Sequence, residues 1–195
     1  QSLNLLAIPT ERRISHRSVG RGGLRVERLI AFVAHRWQRL GGAPFDAASP
    51  WAIRWLIDQL SAAVPPSGDS APRRLYLSRR GVATRQVANE EAVMALLKPH
   101  GFAAIRSEQL SLSEQIALFR EATHIVAPHG ASLTNLLHMR QGSVLELFQE
   151  GHGVRPDFFQ LAMINQLDYH HALCPSSGPE MHCVIPTQVI EDFLA

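Results

Sequence analysis

The sequence predicts an α/β fold built on a parallel sheet with helices on both faces. Beyond residue 72, short apolar or β-branched runs alternate with segments of helical period, the pattern of repeated βα units. The run His124–Pro128 (HIVAP) is apolar along most of its length rather than alternating, as a strand buried on both sides reads. The stretch Ala122–Phe148 passes from strand to small-residue turn to helix to strand. That places the turn residues at the carboxyl end of a strand, where ligands bind in such sheets.

Taken in order, residues 1–24 read as one strand (Leu3–Ile8) and a long polar, Gly-rich loop. Val26, Leu29, Ile30, Val33, Trp37 and Leu40 recur at three- and four-residue spacing, which predicts an amphipathic helix over Arg25–Leu40 stopped by Gly41-Gly42. Ser49-Pro50 opens a second helix, with proline at its first position and Trp51, Trp55, Leu56 and Leu60 as its apolar stripe. No strand separates the two helices. Residues 1–70 are therefore expected to be a mostly helical part of an upstream domain or a linker, and 71–195 the α/β domain. Val64–Pro72 (VPPSGDSAP) is the connector. The opening residue, Gln1 rather than Met, fits a piece of a longer chain.

Within the second part, Arg74–Ser78 is a strand. Asn89 caps a helix that runs through Leu97 and ends at Gly101. Phe102–Ile105 is the next strand. Ser111 and Glu114 have capping-box spacing and open a helix to about Glu121. His124–Pro128 is the third strand and Ser143–Phe148 the fourth. Pro156 opens a helix through Ile164, Leu167–Ala172 and His182–Ile185 are further strands, and Thr187–Leu194 closes with a helix. The crossovers are expected to be right-handed.

The chain of 195 residues is 46% hydrophobic and 18% charged, globular in composition. A formal net charge of +2 argues against nucleic acid as the main partner. Lysine is nearly absent and arginine abundant, which fits a GC-rich genome and also supplies bidentate phosphate contacts. Cys174 and Cys183 form no CxxC pair and are expected as two free buried thiols rather than a disulfide. No apolar run approaches the ~20 residues of a membrane span.

Three strand ends carry chemistry. After the first come Arg79, Arg80 and Arg85, then Asn89 and Glu90. Arg79 and Arg85 bracket one loop and suit a diphosphate. After the third comes His129-Gly130-Ala131-Ser132, then Thr134 and Asn135 in the first helical turn. Helical N–H groups there suit a phosphate or another anion, and Gly130 lets the backbone approach it. The same turn also reads as a tight, well-packed βα connection. His129 is open between a donor to phosphate or hydroxyl, an acid or base, and a structural histidine. Glu146 lies in the apolar strand SVLELF, where a carboxylate must be paired or hydrogen-bonded. It is open between a ribose contact, a partner for arginine, and the outward residue of an edge strand. His152, His170, His171, His182 and the two cysteines match no metal-ligand spacing, so no metal site is expected. There is no Asp-x-Asp pair, Walker loop, Gly-x-Gly-x-x-Gly fingerprint or Gly-x-Ser-x-Gly elbow.

The series Y-L-S-R-R at 76–80, Arg85, Asn89-Glu90, S-L-S-E-Q at 111–115, H-G-A-S-L-T-N at 129–135 and V-L-E-L at 144–147 resembles glycosyltransferase family 61. The resemblance covers about Leu75–Glu150. Ser132 departs from it, where relatives commonly have glycine. The resemblance implies a GT-B architecture of two Rossmann-like domains and inverting transfer from a nucleotide-sugar donor to a glycan or glycolipid acceptor, with no cofactor and no obligatory metal. It implies donor contacts from Arg79, Arg85, Asn89, His129, Gly130, Ala131, Thr134, Asn135 and Glu146. It names no catalytic base: His129 is a candidate from its residue type, and the upstream domain is the alternative source. It also implies a bacterial, polysaccharide-building enzyme. A cytoplasmic setting, at most against the inner face of the membrane, is expected, and the absence of an Asn-x-Ser/Thr sequon fits it. The alternative is a non-catalytic nucleotide-sugar-binding or interaction module, motivated by Ser132 and by the incomplete upstream domain.

Overall fold

The computed structural model describes residues 1–14, 35–37, 45–47, 50–68, 70–151, 153–178 and 180–195. It divides into two compact units, Gln1–Ala63 and Val64–Ala195.

In the first unit, helix α1 (Ser2–Leu5) replaces the expected strand at Leu3–Ile8. Five apolar residues in a run of six carry no decisive period, and leucine favours the helix. Of the expected helix Arg25–Leu40, only His35–Trp37 lies within the described residues. It is strand β1, paired antiparallel with β2 (Phe45–Ala47) in the register His35↔Ala47. Cross-strand pairing here overrides a helical spacing counted along one chain. The expected stop at Gly41-Gly42 lies outside the described residues. Helix α2 (Pro50–Ala62) starts where Pro50 predicts. Its stripe is only partly buried: Leu60 is covered, whereas Trp51 and Trp55 are exposed.

The second unit is a Rossmann-like α/β layer structure. It comprises β3 (Arg74–Leu77), α3 (Glu90–Leu97), β4 (Phe102–Ile105), α4 (Leu112–Glu121), β5 (His124–Pro128), β6 (Ser143–Gln149), α5 (Asp157–Ile164), β7 (Asp168–Cys174), the small pair β8 (Ser176–Ser177) and β9 (His182–Cys183), and α6 (Thr187–Leu194). Five strands form one sheet in the order β4-β3-β5-β6-β7, every pair parallel. The chain thus runs outward from β3 to β4, then crosses back over β3 to β5. The strand order reverses between β3 and β5, the place where sheets of this kind have their ligand crevice, beyond the carboxyl ends of the strands.

Side chains alternate along each strand and separate two cores. Leu75, Leu77, Ile125, Ala127 and Val144 pack with Phe119 of α4, Leu133 and Leu136, and Phe158 and Ala162 of α5. Tyr76, Val126, Leu145 and Leu147 pack on the opposite face with Val93 and Leu97 of α3 and Ile190 of α6. Helices therefore cover both faces, as the apolar strands require. The capping box at α4 forms in full: Ser111 accepts from the Glu114 N–H, and Glu114 accepts from the Ser111 N–H. Buried Arg120 ties the start of this unit down, donating to the carbonyls of Val64 (3.0 Å) and Pro65 (2.8 Å). Both cysteines are free and buried. Among the described residues no helix is long and apolar enough to cross a membrane.

Candidate functional site

β3 delivers Arg79 to the crevice and β5 delivers His129. The loop after β3 folds back on itself: Arg79 Nε donates to the Arg85 carbonyl (3.0 Å), and Nη2 donates to that of Thr84 (3.2 Å). Its remaining terminal nitrogen, Nη1, lies against Gly130, where it fills the space a Cβ would take. Gly130 is extended (φ 173°), so glycine is required by this close approach and not by its backbone angle. Arg79 is half-buried, and burial, followed by the nearby Arg85 guanidinium, lowers its pKa from the usual arginine value. Two like charges held together at a strand end make a setting suited to an anion.

Arg85 adopts a left-handed backbone (φ 58°), a costly conformation for a side chain of its size. Its N–H donates to the Glu180 carbonyl at 2.8 Å. The rest of the loop is stitched to the segment before α6. Cys183 N–H donates to Gln86, Ala88 N–H donates to Cys183, and Gln86 N–H donates to His182 Nδ1. Asn89 stands at the N-cap position of α3, as expected, but its side chain makes no capping bond. Its amide spans Ile185 instead: Nδ2 donates to the Ile185 carbonyl (2.8 Å), and Oδ1 accepts from the Ile185 N–H (2.9 Å).

The residues after His129 form a 3-10 helix, Ala131–His138, rather than the expected α-helix. Leu133 N–H donates to Gly130 at 3.0 Å, closing the tighter turn. Asn135 favours it by donating through Nδ2 to the Ser132 carbonyl (3.1 Å), an acceptor that an α-helical turn uses for its backbone. The same nitrogen donates to Gln115 Oε1 (2.8 Å), and Gln115 in turn holds the carbonyls of Ser107 and Leu110. Asn89 and Asn135 thus sit at the loop bases, while Thr134 and Ala131 are exposed on the surface.

Behind the turn lies a buried hydrogen-bonded group. Glu146 is fully buried, and its Oε1 lies 2.5 Å from His129 Nδ1, a hydrogen bond. Its Oε2 accepts from the Tyr169 hydroxyl at 2.5 Å. This answers how a carboxylate is accommodated in SVLELF: two donors satisfy it. His129 is 5% exposed, stacked on Phe148 (centroids 5.0 Å apart), with Phe158 at 5.3 Å. Burial, then the bond to Glu146, raises the Tyr169 phenol far above its ordinary range, so it stays protonated as a donor.

The structure therefore brings Arg79, Arg85, His129 and Gly130 to the crevice, with Glu146 behind His129. The sequence reading missed Tyr169 and Arg106. Tyr169 follows from no motif; its signal is an aromatic hydroxyl in the strand beside a lone buried carboxylate. Arg106 follows β4, and its guanidinium lies 3.2 Å from where a side chain on Gly81 would begin. It adds a third arginine to the same edge, its Nε paired with Glu108 Oε1 at 2.9 Å. The histidines weighed for a metal find other partners: His170 pairs with Asp168 (3.0 Å), and His182 holds Gln86. His152 lies outside the described residues.

The family model described as Glycosyltransferase 61 matches residues 4–145, which takes in β3 to β5, the Arg79–Asn89 loop and the His129 turn and stops one residue before Glu146. No curated protein matches the chain. The match covers most of the sequence and contains Arg79, Arg85, His129 and Gly130, so the chain belongs to the glycosyltransferase 61 family.

Proposed function

We propose that the chain is the donor-binding part of an inverting glycosyltransferase. It takes a nucleotide-sugar at the crevice between β3 and β5 and passes the sugar to a glycan or glycolipid acceptor. The observation that carries this reading is the seating of Arg79 against Gly130, beside His129, in a chain of this family. Arg79, Arg85 and Arg106 would neutralise the donor diphosphate and the charge that develops on it as it leaves. Gly130 and Ala131 offer backbone approach, and exposed Thr134 offers a hydroxyl. Asn89 and Asn135 act at one remove, since their amides hold the two loops in place.

Residues 71–195 are read as the nucleotide-sugar-binding domain of a GT-B pair, and 1–70 as part of its partner domain. Neither a cofactor nor an obligatory metal is part of this reading. The setting is bacterial polysaccharide synthesis, of the capsular kind, in the cytoplasm or against the inner face of its membrane.

Calorimetric titration with UDP, GDP and CMP, with and without EDTA, tests it. One nucleotide is expected to bind with EDTA present, and Arg79→Ala is expected to weaken it by about tenfold or more, the loss of one charge-assisted contact. Folded chain that binds none of the three refutes the donor site. Binding without transfer or donor hydrolysis supports the non-catalytic module instead.

A further inference from the structure

We propose that Glu146 and Tyr169 are positioning residues that fix the tautomer of His129 and so present its Nε2 as the proton acceptor for the attacking hydroxyl. The inference rests on the transferase reading above and assigns the base that this reading leaves unnamed.

Both oxygens of an ionised carboxylate only accept. Glu146 has one hydrogen-bond partner on each: His129 Nδ1 on Oε1 and the donating Tyr169 hydroxyl on Oε2, both at 2.5 Å. The Tyr169 hydroxyl supplies the proton on its side, so the His129 bond requires a proton on Nδ1. A neutral imidazole protonated at Nδ1 carries its lone pair on Nε2. Phe148 and Phe158 hold the ring plane from β6 and α5. Among the described residues, His171, opposite Glu146 in the β6–β7 register, and Arg79, beside Gly130, are further charged or titratable groups near this cluster.

In the transfer step the acceptor O–H bond breaks and its proton moves to Nε2. The freed oxygen pair forms the new bond to the sugar C1. The bond from C1 to the diphosphate oxygen breaks, and its pair leaves with the nucleotide. The imidazolium so formed lies against the Glu146 carboxylate, which offsets its charge. Tyr169 touches no substrate in this scheme. It acts only by holding Glu146.

Two readouts test the assignment on the full chain. In ¹⁵N-histidine-labelled protein, long-range proton–nitrogen correlations recorded on the alkaline side of the ring's titration are expected to show the His129 proton on Nδ1 alone. Glu146→Gln can keep both contacts by reversing one: its amide donates to Nδ1 and its oxygen accepts from Tyr169, which moves the ring proton to Nε2. The second readout is UDP release from UDP-N-acetylglucosamine and from UDP-xylose, with water as acceptor. Glu146→Gln is expected to lower turnover about 100-fold or more, the range of general-base catalysis, with UDP affinity within about twofold of the unaltered chain. Tyr169→Phe is expected to fall between, by about tenfold, again with UDP affinity kept.

A neutral His129 ring with its proton on Nε2 in the unaltered chain overturns the inference. So does Glu146→Gln turning over at the unaltered rate, or UDP binding with no turnover by the unaltered chain. Failure of UDP to bind refutes the donor reading and the base role with it, while the spectrum still decides the tautomer.

Discussion

Replacing Glu146 by leucine removes the carboxylate while nearly conserving volume, so the loss reports hydrogen bonds more than a cavity. Two donors lose their acceptor. His129 Nδ1 is buried with its ring, and leaving it without an acceptor costs about 1–3 kcal/mol. Tyr169 is only partly buried, and the share of its hydroxyl is about 1 kcal/mol. Against this stands the desolvation of Glu146, which the leucine removes; breaking one side of a buried pair nonetheless runs to about 3–5 kcal/mol. The expected net loss is about 3 kcal/mol, or roughly 6–12 °C in Tm for a chain of this size. Urea unfolding followed by near-UV circular dichroism measures it. If the cost comes from stranded donors, the triple variant Glu146→Leu, His129→Leu, Tyr169→Phe recovers part of the loss, because no buried donor is left unmatched. A single-variant loss below about 1 kcal/mol refutes the buried network.

Gly130→Ala keeps an allowed backbone but pushes aside the Arg79 guanidinium. Stability should change by less than about 1 kcal/mol, while nucleotide affinity by calorimetry falls about tenfold. Gly142→Ala should be far more damaging, above about 3 kcal/mol by thermal unfolding: φ is +117°, and the new Cβ collides with the Thr123 carbonyl, which holds the Ser143 N–H at 2.9 Å where β6 begins. His138 is buried, its Nδ1 without a hydrogen-bond partner among the described residues. Burial, then the Arg120 charge, lowers its pKa from 6.5 to about 4. A depressed folded pKa means that its contribution is complete above pH 6.5 and is lost as pH falls through about 4. Urea midpoints at pH 7 and pH 4 should differ by an His138-dependent share of about 3 kcal/mol, absent in His138→Leu.

The sheet was legible because its strands are short apolar runs bounded by recognisable caps. β4, β5 and α6 match their expected bounds residue for residue. Arg79, His129 and Gly130 were legible because the carboxyl end of a parallel strand is a fixed place in the topology. What stayed hidden is contact over long chain separations. Nothing local in Asn89 shows that its amide will bond Ile185 instead of capping α3. Tyr169 is one aromatic residue in an edge strand until β6 is laid beside it. The upstream unit was read less well, since α1 and β1 lie in segments too short for periodicity to decide.

The stitching of the Arg79–Asn89 loop to the segment before α6 also bears on when the crevice is made. Asn89 bonds Ile185 across 96 residues, and Gln86 bonds His182 across the same span. During synthesis, β3 and the loop emerge long before their partners. At about 5–20 residues per second, the loop waits several seconds or more for the chain that fixes it. Closing so long a span costs entropy that local pairs such as β5 with β6 do not incur. The sheet can therefore mature before the arginines are set, and the anion-facing edge is among the last parts of the molecule to take shape.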